Sequence, residues 1–328
     1  TAHADWIMLD NMTPEQLVAA VSRAKALGRN RPILEASGNV SLATVRNYFP
    51  LRALKAPLLE YFVKAMDQGD LKVTKAGVSG PLSGIRRLFE SGAENNIWLD
   101  AELKDVGGNL PGDRYLPLKG VSGRLLLEKD VLYYKDFKGM YGLSRLAQVE
   151  GIQKGIFSGR SSLQVRVKGE IDLSQLREQM KLGVVPARAA QASDLLEEFS
   201  GKGRLGLLLR MNSAGPPHYE GQLSMDNARL RIGDFPLTQV KGELSFSPKE
   251  IRAERVTALL GGSPLLMRVA LSNYLSEQAA FDLTVDSSGV KAGEALRRFF
   301  PLASPQDPGT VRGRVHYRGP LADAEGRS

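Results

Sequence analysis

One segment of this chain occurs twice at a fixed distance. Leu116-Pro-Leu-Lys-Gly-Val-Ser-Gly-Arg-Leu125 aligns with Phe235-Pro-Leu-Thr-Gln-Val-Lys-Gly-Glu-Leu244 at an offset of 119, matching Pro117 with Pro236, Val121 with Val240 and Gly123 with Gly242. The register holds downstream, where Leu132 meets Ile251, Phe137 meets Val256 and Gly142 meets Gly261. Upstream, Leu99–Val106 resembles Gly221–Ala228 with a slip of three residues. A long-period repeat whose units contain strands implies an array in which each unit buries its apolar face against its neighbours. The units run from about 97 to 160 and from about 219 to 275.

From Phe49 onward the chain reads as alternating strands with frequent glycine. Leu205, Leu207, Leu209 and Met211 fall on one face of a strand by alternation, as do Phe281, Leu283 and Val285, and Val311, Val315 and Tyr317. Helical spacing is confined to patches near 51–66, 173–181, 192–199 and 291–300. The first 48 residues differ. Trp6-Ile-Met-Leu-Asp10 reads as a strand, Thr13 and Pro14 start a helix reaching about Leu27, and Pro32–Gly38 reads as a second strand. Ser41 can cap a further helix through Tyr48. The expected fold is therefore mainly β, an elongated repeat sheet or groove array with short helices, preceded over residues 1–48 by a small α/β fragment. The β-repeat region spans 49–328.

Composition narrows the chemistry. Among 328 residues there is no cysteine, which excludes disulfides, thiolate metal sites and cysteine nucleophiles. The three histidines, His3, His218 and His316, stand far apart, so no metal site is expected. The net charge of +8 comes from 44 basic and 36 acidic residues, interspersed without long runs of one sign, the pattern of a solvated surface. Arg86-Arg87, Arg297-Arg298 and the alternating Arg312, Arg314 and Arg318 fit lipid headgroups or solvent better than nucleic acid, because no aromatic residues are interleaved with them. Gly201-Lys-Gly-Arg-Leu-Gly206 satisfies G-x-G-x-x-G, but a strand follows it where a dinucleotide site needs a helix, so it reads as a turn. No window of 18 apolar residues occurs, no signal peptide is apparent, and both ends read as cut from a longer chain.

Two family resemblances divide the chain. Ala4–Leu17, with its Leu-Asp-Asn motif, followed by Leu34-Glu-Ala-Ser-Gly-Asn-Val-Ser-Leu-Ala-Thr-Val-Arg46, resembles quinolinate phosphoribosyltransferase, the carboxylating nicotinate-nucleotide pyrophosphorylase of NAD biosynthesis. That resemblance implies that Asp10 and Glu35 stand at the ends of barrel strands and contact the ribose or its pyrophosphate, with Ser37, Gly38 and Asn39 offering backbone N–H groups to a phosphate. The match stops near Tyr48, and two strands of an eight-stranded barrel cannot close, so no catalysis is expected from it.

From Phe49 onward the chain resembles AsmA-like cell-envelope proteins. The features are Leu51–Leu71, Val78-Ser-Gly-Pro-Leu82, the paired Pro-Leu…Val-x-Gly-x-Leu units and Ala258-Leu-Leu-Gly-Gly262. The resemblance implies an inner-membrane-anchored, periplasmic β-groove whose apolar interior holds phospholipid, acting without a cofactor in outer-membrane lipid homeostasis beside other envelope proteins. Leu99, Leu103, Leu125, Leu127, Leu205, Leu207, Leu209, Phe281 and Leu283 are the candidate lining. Alternation fits equally a dry sandwich in which the same faces pack on one another. Three functional readings follow: a lipid-binding envelope protein, a cytoplasmic phosphoribosyltransferase fragment named by residues 1–48, and a structural β-protein without ligand.

Overall fold

The computed structural model describes residues 6–10, 16, 19–20, 22–23, 33–41, 66–79, 96–109, 115–157, 160–181, 196–213, 215–233, 235–276, 278–291 and 310–320. The fold is mainly β, as its sequence implies. Contacts divide the chain into two units, the first holding residues 1–167 and 209–217, the second residues 168–208 and 218–328.

Unit 1 is a meander in sequence order. Its strands are β1 (Trp6–Asp10), β2 (Ile33–Ser41), β3 (Met66–Ser79), β4 (Asn96–Asn109), β5 (Pro117–Glu128), β6 (Val131–Tyr141) and β7 (Ser144–Lys154). β1 and β2 are parallel, and Gln16, Ala19, Ala20, Ser22 and Arg23 between them are helical, which matches the strand, helix, strand expected there. Every later pairing from β2 to β7 is antiparallel.

That antiparallel step corrects the phosphoribosyltransferase expectation. Glu35, Ser37, Gly38 and Asn39 lie inside β2, and Gly38 and Asn39 stand opposite Val73 and Lys72 of β3. A phosphate loop needs a strand that ends and releases its N–H groups toward a helix, in a sheet with parallel neighbours on both sides. Here the ladder continues through those residues to Ser41, with an antiparallel neighbour. Asp10, at the end of β1, pairs with Ser37 rather than standing at the mouth of a barrel.

Unit 2 repeats the meander with β11 (His218–Ile232), β12 (Phe235–Phe246), β13 (Glu250–Leu260), β14 (Ser263–Ser272), β15 (Ala280–Lys291) and β16 (Thr310–Pro320), all antiparallel. Before them come β8 (Ser162–Asp172), the helix α1 (Leu173–Lys181), β9 (Leu196–Ser200) and β10 (Lys202–Asn212). Asp172 caps α1, its carboxylate accepting from Ser174 Oγ and from the Gln175 amide at 3.0 Å. The helix expected over 173–181 is present. The one expected over 192–199 is not: Leu196–Ser200 is a strand, because Arg229–Ile232 of β11 supplies it with a ladder that local propensity could not foretell. Gly201 is the turn between β9 and β10, so the glycine-rich motif runs from a turn into a strand. The patches at 51–65 and 292–300 lie outside the described residues.

The repeat extends to the irregularities of the sheet. β4 pairs β5 with breaks in register between Leu103 and Val106 and between Val106 and Gly108; β11 pairs β12 with breaks between Met225 and Ala228 and between Ala228 and Leu230. Asp105 and Asn227 fill these bulges with φ of 53° and 71°, a conformation Asp and Asn tolerate. The break between Tyr134 and Phe137 in β6 has its counterpart between Ala253 and Val256 in β13. A bulge adds one residue and restores the alternation on the far side, so Val106 and Ala228 return to the face from which Leu103 and Met225 project. Glycine matters at two matched points: a Cβ on Gly123 would lie 2.6 Å from the Phe137 ring, and one on Gly242 would lie 2.7 Å from the Arg255 carbonyl and 3.0 Å from the Val256 side chain.

Gly123→Val and Gly242→Val should each destabilise by about 1–3 kcal/mol through overpacking. Gly206→Ala, where a Cβ meets open space, should be neutral or slightly stabilising. Urea unfolding of the three variants against the parent measures this, as a shift in midpoint at constant slope.

Candidate functional site

Register converts the alternation of single strands into rows that cross the sheet. In unit 2, Met225, Gly242, Val256, Met267, Val285 and Val315 are successive partners through β11 to β16. A second row runs Gly221, Phe246, Ile251, Leu271, Phe281, Gly319. Between them lie Leu223 opposite Leu244, and Val269, Leu283 and Tyr317 in line. With strands ~4.8 Å apart, a row of six spans roughly 24 Å. In unit 1, Val73, Ala101, Leu125, Tyr134 and Gly151 form one row, and Ala76, Leu99, Leu127, Leu132 and Gln153 the next.

The candidate residues therefore fall as follows. Leu99 and Leu127 are direct partners, Leu125 stands in the adjoining row, and Leu103 pairs with Gly123 in a third. Phe281 and Leu283 occupy neighbouring rows of unit 2. Leu205 and Leu207 alternate along β10, and Leu205 packs on the core of unit 2. Leu209, on the same strand, belongs to unit 1. Reading the sequence missed Val73, Ala101, Val240, Val256 and Met267, which are among the most buried members of these faces. The signal that could have found them is the slip of three residues between the repeats, which marks an irregular strand.

Burial along the face of unit 2 is graded. Val240 on β12 is 1% exposed, Val269, Leu271, Phe281, Leu283 and Val285 are half-buried, and Val315 on β16 is 62% exposed. The strands of each unit are one meander and not the two sheets that a sandwich requires. Polar atoms on the apolar faces are satisfied locally: the Tyr134 hydroxyl donates to Gln153 Oε1 at 3.0 Å, and burial pushes that phenol well above its usual pKa.

The opposite face is polar and internally paired. In unit 1, Arg124 donates to both carboxylate oxygens of Asp100, with Nε to Oδ1 at 2.7 Å, and Thr74 Oγ1 donates to the Asp100 carbonyl at 3.0 Å. In unit 2, Arg314 meets Asp286 at 2.5 Å, His316 Nε2 lies 3.0 Å from Asp282, Arg318 lies 4.0 Å from Asp282, and Lys241 meets Asp226 at 3.1 Å. Arg314 and Arg318 thus face carboxylates on β15. Exposed pairs of this kind contribute little to stability, and their sum is a neutralised, hydrated surface. No helix among the described residues is long and apolar enough to cross a membrane.

Comparison with known families gives one match: a model described as YhdP protein covers residues 15–319. It runs without a break across Tyr48, so the family includes most of the segment that resembles phosphoribosyltransferases, and nothing in the comparisons supports that second resemblance. No curated protein and no solved structure matches the chain.

The Arg124 guanidinium holds the Asp100 carboxyl below the ordinary value of 3.8. A carboxyl with a lowered folded-state pKa adds stability that is complete above 3.8 and lost as pH falls through the folded value. Asp100→Asn should therefore be less stable than the parent at pH 6, and the gap should close below pH ~3.8. Denaturant midpoints measured from pH 6 to pH 2.5 test this, and a gap that stays constant with pH would contradict it.

Proposed function

Because this chain belongs to the YhdP protein family, a family of AsmA-like envelope proteins, we propose that its apolar faces carry phospholipid acyl chains within the cell envelope, without catalysis. The observation that carries this reading is the set of transverse rows, apolar across six consecutive strands yet accessible toward β15 and β16. A row of roughly 24 Å exceeds the ~15 Å that one leaflet contributes to a hydrocarbon core, so a single unit is long enough for an extended acyl chain. Each methylene withdrawn from water onto such a face is worth ~0.8 kcal/mol, enough to hold a diacyl lipid with no specific polar contact.

The polar face supports the same assignment from the other side. Several of its carboxylates and cations are paired across neighbouring strands, which suits it to face water. Location in the periplasm and a role in the lipid balance of the outer membrane accord with the envelope association of the family. Leu99, Leu125, Leu205, Leu207, Leu209, Phe281 and Leu283, all half-buried, would then contact acyl chains, while Leu103 and Leu127 are taken up by the protein's own packing.

Lipid mass spectrometry of the full chain, purified without detergent beside an equally treated soluble control, should find phospholipid in at least equimolar amount. Phe281→Glu should reduce it about tenfold or more, since a carboxylate on the apolar face imposes a large desolvation cost. Arg268→Glu on the polar face should leave it unchanged. A folded, lipid-free parent protein would reject the proposal in favour of a purely structural sheet.

A further inference from the structure

In unit 2 the strand β16 is bordered by β15 on one side, and no other strand pairs with it among the described residues. Its exposure has the pattern of an edge. A strand inside the sheet alternates, as β13 does with Ala253, Val256 and Ala258 buried and Arg252, Glu254 and Thr257 exposed, whereas every residue from Arg312 to Arg318 is exposed. Each second residue of an edge strand turns its N–H and C=O away from the neighbour it has, so β16 offers an unpaired ladder to a further strand.

Sheets commonly blunt such an edge with an internal proline, a bulge or a very short strand. β16 is 11 residues long, and its proline, Pro320, stands at its end opposite Ala280. The one irregularity of the ladder is a bulge of β15, where Ser288 and Gly289 stand against Arg312 alone. From Gly313 to Gly319 the register is unbroken, so β16 presents a regular edge.

The two faces of β16 indicate what an added strand must carry. On the polar face Arg312, Arg314, His316 and Arg318 alternate along the strand, and no residue of β16 is acidic. Arg314 meets Asp286, while His316 and Arg318 approach Asp282, so β15 supplies carboxylates from one side. Arg268 of β14 stands opposite Thr284, between those two aspartates. The sign of the charge thus alternates strand by strand, basic on β14, acidic on β15 and basic on β16. The Arg314 and Arg318 side chains remain 70% and 79% exposed, and a guanidinium has five N–H donors, more than one carboxylate can take. Arg312 faces the β15 bulge, where Ser288 and Gly289 offer it no carboxylate. On the apolar face Val315 is 62% exposed at the end of the row through Met267 and Val285. Tyr317, its ring 6.2 Å from that of Phe281, ends the row beside it.

A second copy of the chain does not fit this edge. In a continuous sheet made by two β16 strands, the arginines of one would stand among those of the other, and like charges facing across a ladder are destabilising. We infer that β16 is a docking edge for a β-strand of another polypeptide whose residues alternate between carboxylates and apolar side chains. The carboxylates lie against Arg312, Arg314 and Arg318, the apolar residues continue the rows beyond Val315 and Tyr317, and the backbone of the incoming strand completes the ladder.

A synthetic peptide of alternating Val and Asp, about nine residues and roughly 30 Å long, covers most of the strand. Its binding to the full chain is followed by fluorescence anisotropy, beside a peptide of the same composition in scrambled order and one with Lys in place of Asp. Amide hydrogen exchange is measured on the same samples. The alternating acidic peptide should bind at least about tenfold more tightly than the other two and should slow exchange at every second residue of β16. Arg314→Gln combined with Arg318→Gln should weaken it about tenfold while circular dichroism shows an unchanged fold. A scrambled peptide that binds equally well would make β16 a general anion surface and overturn the inference. Binding without protection of β16, dimerisation of the chain through β16, or no binding of the alternating peptide would overturn it as well.

Discussion

Register is the constraint on which the rest of this protein depends. A β-strand distributes its side chains with a period of two, so a face is apolar over many strands only when every ladder is aligned to the residue, and one slip transfers a whole strand to the wrong side. The bulges at Asp105 and Asn227 are the points at which the alignment is renewed. If the same sequence ran as a regular strand without the bulge, Val106 and Ala228 would turn outward, and the pairing of Val106 with Val121 and of Ala228 with Val240 would be lost. The glycines that face Phe137 and Val256 serve the same alignment, since they let a large side chain from the next strand lie down where two side chains would collide.

The two faces contribute differently to stability. Side chains such as Val240 and Val106 are withdrawn from water and supply folding energy, while Val315 and Tyr317 on β16 remain exposed. The polar face adds little energy, but its pairs of opposite charge across neighbouring strands keep the sheet soluble on that side. Energetically each unit is a sheet with a graded core: some side chains of its apolar face are fully withdrawn from water and others remain partly exposed.

Much of this was legible in the sequence. The mainly β fold, the strands through Leu205–Leu209, Phe281–Val285 and Val311–Tyr317, the helix at 173–181 and the pairing of Gly123 with Gly242 all followed from alternation, capping and the repeat. Which residues share a face was legible only where alternation is unbroken, as for Leu125 and Leu127 or Phe281 and Leu283. It failed beyond Leu103, because a bulge reverses parity and leaves no compositional mark apart from an Asp or Asn. Leu196–Ser200 read as helix because its ladder partner is thirty residues away in sequence. The short strand–helix–strand at the start was legible as local pattern, but its antiparallel attachment to β3 is a tertiary fact that no local pattern encodes.

A sheet that is a plain meander has an evolutionary arithmetic of its own. Adding or deleting one hairpin leaves all later strands pointing as before, so the array can lengthen by duplication in pairs of strands, and the 119-residue offset is the visible trace of such copying. Small insertions are treated quite differently. A single codon gained in a turn is absorbed by the loop, and one lost at Asp105 or Asn227 only removes the bulge and keeps the alternation, whereas one lost in a regular stretch of strand inverts the inside and outside of the residues beyond it. Tolerance to the loss of one residue should therefore be high at Gly233 and Gly262, intermediate at the two bulges and near zero in the regular stretches of the strands, a pattern that a deletion scan would draw directly onto the sheet.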